Sequence, residues 1–181
     1  MEHIECELKL KIIGNITEIL KNYGKKAKII KQIYFNLKDE YTREHIKNFL
    51  PRNFDFSKYA EARVRIINNK FVFLTLKSHG YLERLEFEKQ IPISFLKNLD
   101  KLSIKGLINK ARYDIILDEE LEISIDKYLD LDLCVMEVEF DKNIISRAKI
   151  IKKIKNLFKK IEFEDITDNL NYKNSNLAKQ E

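Results

Sequence analysis

The stretch Ile4-Glu5-Cys6-Glu7-Leu8-Lys9-Leu10, near the start of the chain, decides the fold. Its even-numbered residues are apolar, and its odd-numbered residues, Glu5, Glu7 and Lys9, are charged. Side chains alternate between the two faces of a β-strand, so this stretch predicts a strand with one apolar and one charged face. Such a strand is ordinary by itself, because one face of an antiparallel sheet is commonly solvated.

The same alternation returns in later predicted strands, and there the charges have both signs. Charged residues stand two apart in four further groups: Arg63 and Arg65; Arg84, Glu86 and Glu88; Lys110 and Arg112; Glu137 and Glu139. A soluble surface needs charge, but it does not need cations and carboxylates at this repeated spacing. The repetition indicates that the charged faces serve a common purpose.

Composition bounds the class of protein. The 181 residues are enough for one domain with a buried core, and we expect a single domain over 1–181. Charged residues make up 35% of the chain, and the net charge of +5 favours anionic partners in a general way. No apolar run approaches the ~18 residues of a membrane span, and no leader is evident, so we expect a cytoplasmic protein. Cys6 and Cys134 fall on predicted apolar faces and indicate reduced, packed thiols.

Hydrophobic periodicity predicts about eight strands, mostly in hairpin order, with helices inserted between some of them. The predicted strands cover residues 1–10, 26–37, 61–67, 70–77, 81–91, 107–117, 121–128 and 131–140. The predicted helices cover residues 16–24, 41–50, 92–102 and 143–160. Asn68-Asn69 tolerates positive φ and predicts a tight hairpin turn. We expect the tail from Glu162 to be irregular or a short terminal helix.

The charged strand faces leave two arrangements open, a flat sheet in which they face solvent and a closed barrel in which they face the interior. Helices can cover only apolar faces, so the apolar faces pack outward and the charged faces must look elsewhere. In a barrel of about eight strands they face an interior just wide enough for side chains or one small ligand. Charges there are costly unless they are paired, hydrated or satisfied by a bound group. A polyanion with divalent metal ions would satisfy both signs, because cations bind phosphate oxygens and carboxylates bind hard metals.

Glu5-x-Glu7-x-Lys9 resembles the ExExK signature of the CYTH superfamily, also called the triphosphate tunnel metalloenzymes. Six further segments follow in the order of that family: Ala62-Arg63-Val64-Arg65, Thr75-Leu76-Lys77, Arg84-Leu85-Glu86-Phe87-Glu88, Lys110-Ala111-Arg112, Ile125-Asp126-Lys127 and Glu137-Val138-Glu139. The segment from Ile166 to Ala178 is also similar to the closing segment of the family. The resemblance covers the whole chain and implies an eight-stranded antiparallel barrel with helices packed outside, which agrees with the alternation.

The resemblance also implies a role for each charged set. Arginine and lysine would hold a triphosphate, because a guanidinium meets two phosphate oxygens and an ammonium acts as a point charge. The implied catalytic cations, which also bind substrate, are Lys9, Arg63, Arg65, Lys77 and Arg112, and further substrate contacts are Arg84, Lys110 and Lys173. Two Mg²⁺ or Mn²⁺ ions would be coordinated by Glu5, Glu7, Asp126, Glu137 and Glu139. The carboxylates that would hold the cations in place, or bind metal through water, are Glu86, Glu88 and Glu122.

The activity implied by the resemblance is metal-assisted phosphoryl chemistry on a small-molecule polyphosphate. We expect an inorganic triphosphatase that converts tripolyphosphate to pyrophosphate and phosphate, since no residue set clearly builds a pocket for a base. A class IV adenylate cyclase, a thiamine or nucleoside triphosphatase, and a non-enzymatic polyphosphate or nucleotide binder stay open as alternatives. We expect no nucleic-acid or membrane partner, and the exposed helix faces leave a homodimer open.

Overall fold

Eight antiparallel strands close into a barrel, and a ninth strand extends it. The computed structural model describes residues 2–24, 26–115 and 121–178. The strands are β1 (Glu2–Ile13), β2 (Lys28–Phe35), β3 (Glu61–Ile67), β4 (Phe71–Lys77), β5 (Glu83–Ile91), β6 (Ile104–Ile115), β7 (Glu122–Tyr128), β8 (Cys134–Glu139) and β9 (Glu162–Asp165). The sheet order is β5-β4-β3-β2-β6-β7-β8-β1, and pairing of β1 with β5 closes the ring. The eight-stranded antiparallel barrel predicted from the sequence is confirmed.

Most helices lie between strands along the chain, and the last two follow β9. The α-helices are α1 (Thr17–Tyr23), α2 (Glu40–Lys47), α3 (Arg147–Leu157) and α4 (Asn174–Leu177). The 3-10 helices cover Phe56–Lys58, Ile93–Lys101 and Leu170–Tyr172. Within the described ranges, no helix combines the length and the apolar character needed to cross a membrane.

The elements differ from the sequence expectation mainly near the C-terminus. We expect the tail from Glu162 to be irregular or a short terminal helix; residues 162–165 instead form β9, because β1 is long enough to offer them a free edge, and residues 174–177 form the short helix α4. The longest helix is shorter than predicted, and the helix expected after Pro92 is a 3-10 helix. The Asn68-Asn69 turn is confirmed, with φ of 51° and 53°. Residues 116 and 117 of the predicted sixth strand lie outside the described residues.

The hydrophobic core lies mainly outside the barrel, as the alternation predicts. Leu8, Ile125 and Val138 on the outer faces of β1, β7 and β8 pack against Ile19 of α1 and Ile154 of α3. A second apolar layer covers β2 to β5. Its members include Val64, Leu74, Leu76, Ile46 of α2 and Phe95. Because helices cover the outer faces, the charged faces of β1, β3, β5, β6 and β8 are directed into the barrel.

A third apolar cluster lies at one end of the barrel interior and closes that end. Tyr34, Ile108, Tyr128 and Val135 come from strand faces directed inward, and Ile166 joins them from the segment that follows β9. We call residues 166–178 the closing segment. Its Leu177 and Ala178 pack against the same cluster, so the closing segment covers this end of the barrel.

Strand β1 organises the barrel because three strands pair with it. Residues 2–6 of β1 pair with β5 and residues 10–13 pair with β9. Residues 7–11 pair with β8. At the gap between β5 and β9, the backbone N–H of Lys9 donates to Thr167 Oγ1 at 3.0 Å, and the Ile166 N–H donates to the Lys9 carbonyl at 3.0 Å. The closing segment therefore completes the hydrogen bonding of β1 beside Lys9.

We predict that Thr167→Val destabilises the protein by about 1–3 kcal/mol, because it leaves the Lys9 N–H without its acceptor in a buried position. Chemical unfolding of the two proteins measures the change. Thr17→Val is the matched control, since Thr17 is exposed, and it should stay within about 0.5 kcal/mol of the wild type. Equal losses in the two variants would contradict the prediction.

Candidate active site

A charged cavity of about 300 Å³ lies inside the barrel. We call it the tunnel cavity, and it is lined by His3, Glu5, Glu7, Lys9, Arg63, Arg65, Lys77, Arg84, Glu86, Glu88, Arg112, Glu122, Glu137, Glu139 and Asn174. Every lining residue except Asn174 lies on a barrel strand. The described lining contains no apolar side chain, so the cavity suits a highly charged ligand.

Three carboxylates in the tunnel cavity form a potential metal site. Oxygens of Glu5, Glu7 and Glu139 all lie within 4.8 Å of one another. Burial, together with the nearby charges of Glu7 and Glu5, raises the pKa of Glu139 to about 8. Mutual repulsion of this kind is relieved by a divalent cation, and carboxylate oxygens are the ligands that Mg²⁺ and Mn²⁺ prefer. The donor set therefore fits such an ion.

We predict that Glu139→Gln stabilises the metal-free protein near pH 8. The pKa of Glu139 is raised in the folded state, so as pH rises from about 4.5 to 8 the unfolded chain loses a proton that the folded protein keeps. The free energy of unfolding of the wild type therefore falls over this window, and glutamine removes the effect. Thermal melts in a chelator should give the variant the higher Tm at pH 8, by about 2–4 °C for each kcal/mol relieved.

The same melts contain the control and a second readout. Glu162→Gln, at an exposed position on β9, should follow the wild type at every pH. Added Mg²⁺ or Mn²⁺ should raise the Tm of the wild type more than that of Glu139→Gln. A Tm of Glu139→Gln below that of the wild type at pH 8 would show that Glu139 is not under this repulsion.

Cations surround the carboxylate cluster. Lys77 Nζ lies 2.8 and 2.6 Å from the two Glu5 carboxylate oxygens and 2.5 Å from Glu86 Oε2. Arg84 Nη2 lies 3.4 Å from Glu5 Oε2 and 3.7 Å from Glu7 Oε1. These ion pairs compensate part of the negative charge of the cluster.

Lys9 stands between the carboxylate cluster and Glu137. Its Nζ lies 2.8 Å from Glu137 Oε1 and 3.0 Å from Glu7 Oε1. Burial alone lowers the pKa of Lys9, but Glu137 and Glu7 outweigh it and raise the pKa well above its usual value. Burial likewise opposes ionisation of Glu137, yet Lys9, Lys110 and Arg112 hold its pKa well below the usual range. Lys9 and Glu137 are therefore both charged at neutral pH.

Arg112 is held by Asp126, and Asp126 is held by Lys110. Arg112 Nε and Nη2 donate to the two Asp126 oxygens at 2.7 and 2.6 Å, and Nη2 also contacts Glu137. Lys110 also donates to Asp126 Oδ2, and the side chains of both residues are fully buried. Burial lowers the pKa of Lys110 to about 8, although Asp126 and Glu137 oppose this shift. Asp126 thus fixes the guanidinium of Arg112 at the cavity wall.

We predict that Asp126→Asn destabilises the protein by about 3–5 kcal/mol, because it leaves the Lys110 ammonium buried without its counter-ion. Urea unfolding measures the loss. Adding Lys110→Met to Asp126→Asn should recover part of it, since the uncompensated buried charge is then gone. A loss below about 1 kcal/mol for Asp126→Asn would mean that the pair is not as desolvated as its burial implies.

Arg63 and Arg65 carry donors that no described residue satisfies. Arg63 Nη1 lies 3.5 Å from the Tyr34 hydroxyl, and Arg65 Nη2 donates to both Glu88 oxygens at 2.7 and 2.8 Å. The Nε atoms of both arginines are buried, and neither has a hydrogen-bond partner in the described part of the chain. A buried donor without a partner is costly, so these atoms favour an anionic ligand in the cavity.

The structure brings together most of the residues that the sequence singles out. Thirteen of the sixteen predicted site residues line the tunnel cavity, and the other three are Lys110, Asp126 and Lys173. Lys110 and Asp126 lie behind Arg112. Lys173 lies in the closing segment, and its Nζ is 3.5 Å from Glu61 Oε2 of β3. The roles of all sixteen stay predictions.

Sequence reasoning missed two residues of the lining, His3 and Asn174. His3 lies two positions before Glu5, so the alternation of β1 places it on the same face, and this signal was available. Asn174 lies in the tail, where no strand pattern indicates which way a side chain points.

Comparison with known proteins gives the family. The sequence profile of the CYTH domain matches residues 3–171. The chain belongs to the CYTH family. No curated protein matches this CYTH chain in sequence.

Solved structures with the same CYTH fold are distant in sequence. A Hippeastrum protein, described as a candidate adenylyl cyclase with a dominant triphosphatase activity, is 15% identical, with a TM-score of 0.61 over 89% of this chain and 90% of its own. An inorganic triphosphatase is 21% identical, with a TM-score of 0.51 over 96% and 93%. A Bacillus halodurans protein described as a candidate adenylate cyclase is 16% identical, with a TM-score of 0.54 over 88% and 90%. At these identities the likeness establishes the shared fold.

Proposed function

We propose that this protein is a divalent-metal-dependent triphosphatase that hydrolyses inorganic tripolyphosphate to pyrophosphate and orthophosphate. The observation that carries the proposal is the lining of the tunnel cavity, which offers charges of both signs and, among the described residues, no apolar side chain. A nucleoside or thiamine moiety needs an apolar or aromatic surface to cover its ring, whereas a bare triphosphate needs only charge and hydrogen-bond donors. Membership of the CYTH family, whose members include triphosphatases and cyclases, supports the same reaction class.

The cations of the cavity would bind the polyphosphate. Arg63 and Arg65 have buried Nε donors without a partner among the described residues. Lys9 and Lys77 place their ammonium groups beside the carboxylate cluster, against Glu7 and Glu5. These lysines form ion pairs with glutamates. On binding, the lysines would exchange glutamate oxygens for phosphate oxygens, and the divalent ion would compensate the glutamates that they leave.

Glu5, Glu7 and Glu139 would hold Mg²⁺ or Mn²⁺, and Glu137 contributes to the negative potential beside them. When bound, a divalent ion neutralises phosphate charge and lowers the pKa of an attacking water. Arg112, which Asp126 fixes in place, would stabilise the charge that develops on the leaving phosphate. Because Arg112 is held before substrate arrives, little reorganisation is needed at the moment of reaction.

The proposal predicts orthophosphate release from tripolyphosphate in the presence of Mg²⁺ or Mn²⁺, with a much slower reaction on ATP and on thiamine triphosphate. Glu7→Gln removes one carboxylate of the cluster with little change in shape and should lower the rate about 10²–10³-fold, by analogy with the loss of one preorganised electrostatic contact. Product analysis with each substrate supplied separately measures both effects. Glu162→Gln, exposed on β9, is the matched control and should keep the wild-type rate.

Other outcomes identify the alternatives. Cyclic AMP and pyrophosphate from ATP would make the protein a cyclase, with the 3′-hydroxyl and not water as the nucleophile. Faster hydrolysis of thiamine triphosphate or a nucleoside triphosphate would change the substrate but not the reaction class. Affinity and thermal stabilisation by tripolyphosphate without turnover would indicate a binding protein.

A further inference from the structure

Asn174, which is not among the predicted site residues, lies at the closed end of the tunnel cavity. Asn174 lines the cavity although it lies in the closing segment and not on a barrel strand. The residue is 6% exposed, so it is a buried polar group in a charged environment. Asn174 bonds to Tyr128 at one end of β7, whereas Glu122 and Glu139, which also line the cavity, face each other at the other end of the β7–β8 pair. Asn174 therefore lies at the floor of the cavity, and the two glutamates lie toward its mouth.

Asn174 shares its surroundings with three cations of the tunnel cavity. A second, narrow pocket lies between the closing segment and Gly80-Tyr81, which come shortly before β5 in the chain. We call it the seam pocket. Lys9, Arg63, Arg84 and Asn174 line both the tunnel cavity and the seam pocket, so these four side chains form the partition between the two. Three of the four are cations, and the fourth is an amide.

The orientation of Asn174 is fixed by a hydrogen bond. The hydroxyl of Tyr128, the last residue of β7, donates to Asn174 Oδ1, and both side chains are buried. No hydrogen bond joins the Asn174 amide nitrogen to another residue of the described ranges. Because Tyr128 occupies the oxygen, the two N–H donors of the amide are left for a group in the cavity.

We propose that Asn174 is a specificity-determining residue, whose amide donates to the innermost phosphate of the substrate and whose position limits the cavity to a three-phosphate chain. The inference rests on the proposed function. Arg63, with its unused buried Nε, and Lys9 would hold the same phosphate from the barrel wall. A longer polyphosphate would have to extend from the tunnel cavity into the seam pocket. The side chain of Asn174, which Tyr128 holds by a hydrogen bond, would block that path.

Two substitutions of Asn174 test separately whether its amide contacts the phosphate and whether its volume excludes longer chains. Asn174→Asp keeps the oxygen that accepts from Tyr128 but replaces the donors by a negatively charged acceptor. It should weaken tripolyphosphate binding at least about tenfold, the effect of losing one hydrogen bond to a charged group. Calorimetry in a chelator measures this without turnover. Asn174→Ala removes volume as well, so it should also lower the preference for tripolyphosphate over tetrapolyphosphate, measured as the ratio of kcat/KM.

The matched control is Asn171→Ala, because Asn171 is an exposed asparagine of the same closing segment. It should leave binding and chain-length preference unchanged. Thermal melts of all variants are needed, and Asn174→Asp must stay folded for the comparison. A merely structural role for Asn174 would lower Tm and leave the dissociation constant and the preference of the folded protein unchanged.

The outcomes distinguish this inference from the proposed function. If the wild type hydrolyses tripolyphosphate and Asn174→Asp binds it as tightly as the wild type, the inference is wrong and the proposed function stands. Equal wild-type kcat/KM values for tripolyphosphate and tetrapolyphosphate would also overturn it. If the wild type binds tripolyphosphate without turnover, the proposed function fails, and calorimetry of Asn174→Asp still decides whether Asn174 is a contact.

Discussion

The pairing of buried opposite charges inside the barrel is the constraint on which the rest of the structure depends. Glu5, Lys77 and Arg84 illustrate it, since one carboxylate lies within 3.4 Å of both cations and all three side chains are buried. Burial of a single charge is expensive, whereas a set with both signs can be compensated within itself. The apolar core must then lie on the other strand faces, which explains why helices α1 and α3 pack outside the ring and why β1, with three strand partners, is its organising element.

This arrangement also ties stability to function. Hydrophobic side chains of similar volume often stabilise a protein as well as a buried ion network does, so the network is a poor choice if stability is its only role. The raised pKa of Glu139 indicates that compensation is incomplete, because Lys9, Lys77 and Arg84 pair with Glu5 and Glu7, and no ion pair among the described residues reaches Glu139. Elsewhere in the cavity wall, acceptors are lacking: the buried Nε donors of Arg63 and Arg65 have no hydrogen-bond partner among the described residues. An excess of negative charge at one place and of donors at another is what a metal–polyphosphate complex would relieve.

The amino-acid sequence predicts the barrel and most of the cavity because both follow from a local rule. Alternation assigns Glu5, Glu7 and Lys9 to one face without knowledge of any other strand, and the same rule applies to Arg63 and Arg65. The position of a side chain along the barrel axis does not follow from a local rule. Lys110 and Asp126 have the right alternation, yet they lie behind Arg112, because strand register and the packing of Tyr128 decide which inward side chains reach the cavity. The strand character of β9 could not be predicted, since it depends on the free edge of β1 and not on the composition of residues 162–165.

The closing segment shows how a few contacts outside the barrel can define the space within it. Ile166 enters the apolar cluster at the barrel end, Thr167 satisfies the Lys9 backbone, and Tyr128 orients Asn174. These contacts join the segment to several strands, so the position of Asn174 is set by several constraints. A barrel closed in this way has a floor as well as a wall. Under the proposed function its charged lining would select polyanions, and the proposed role of Asn174 would make the length of the polyanion a second criterion, which an open-ended tunnel with the same cations would not apply.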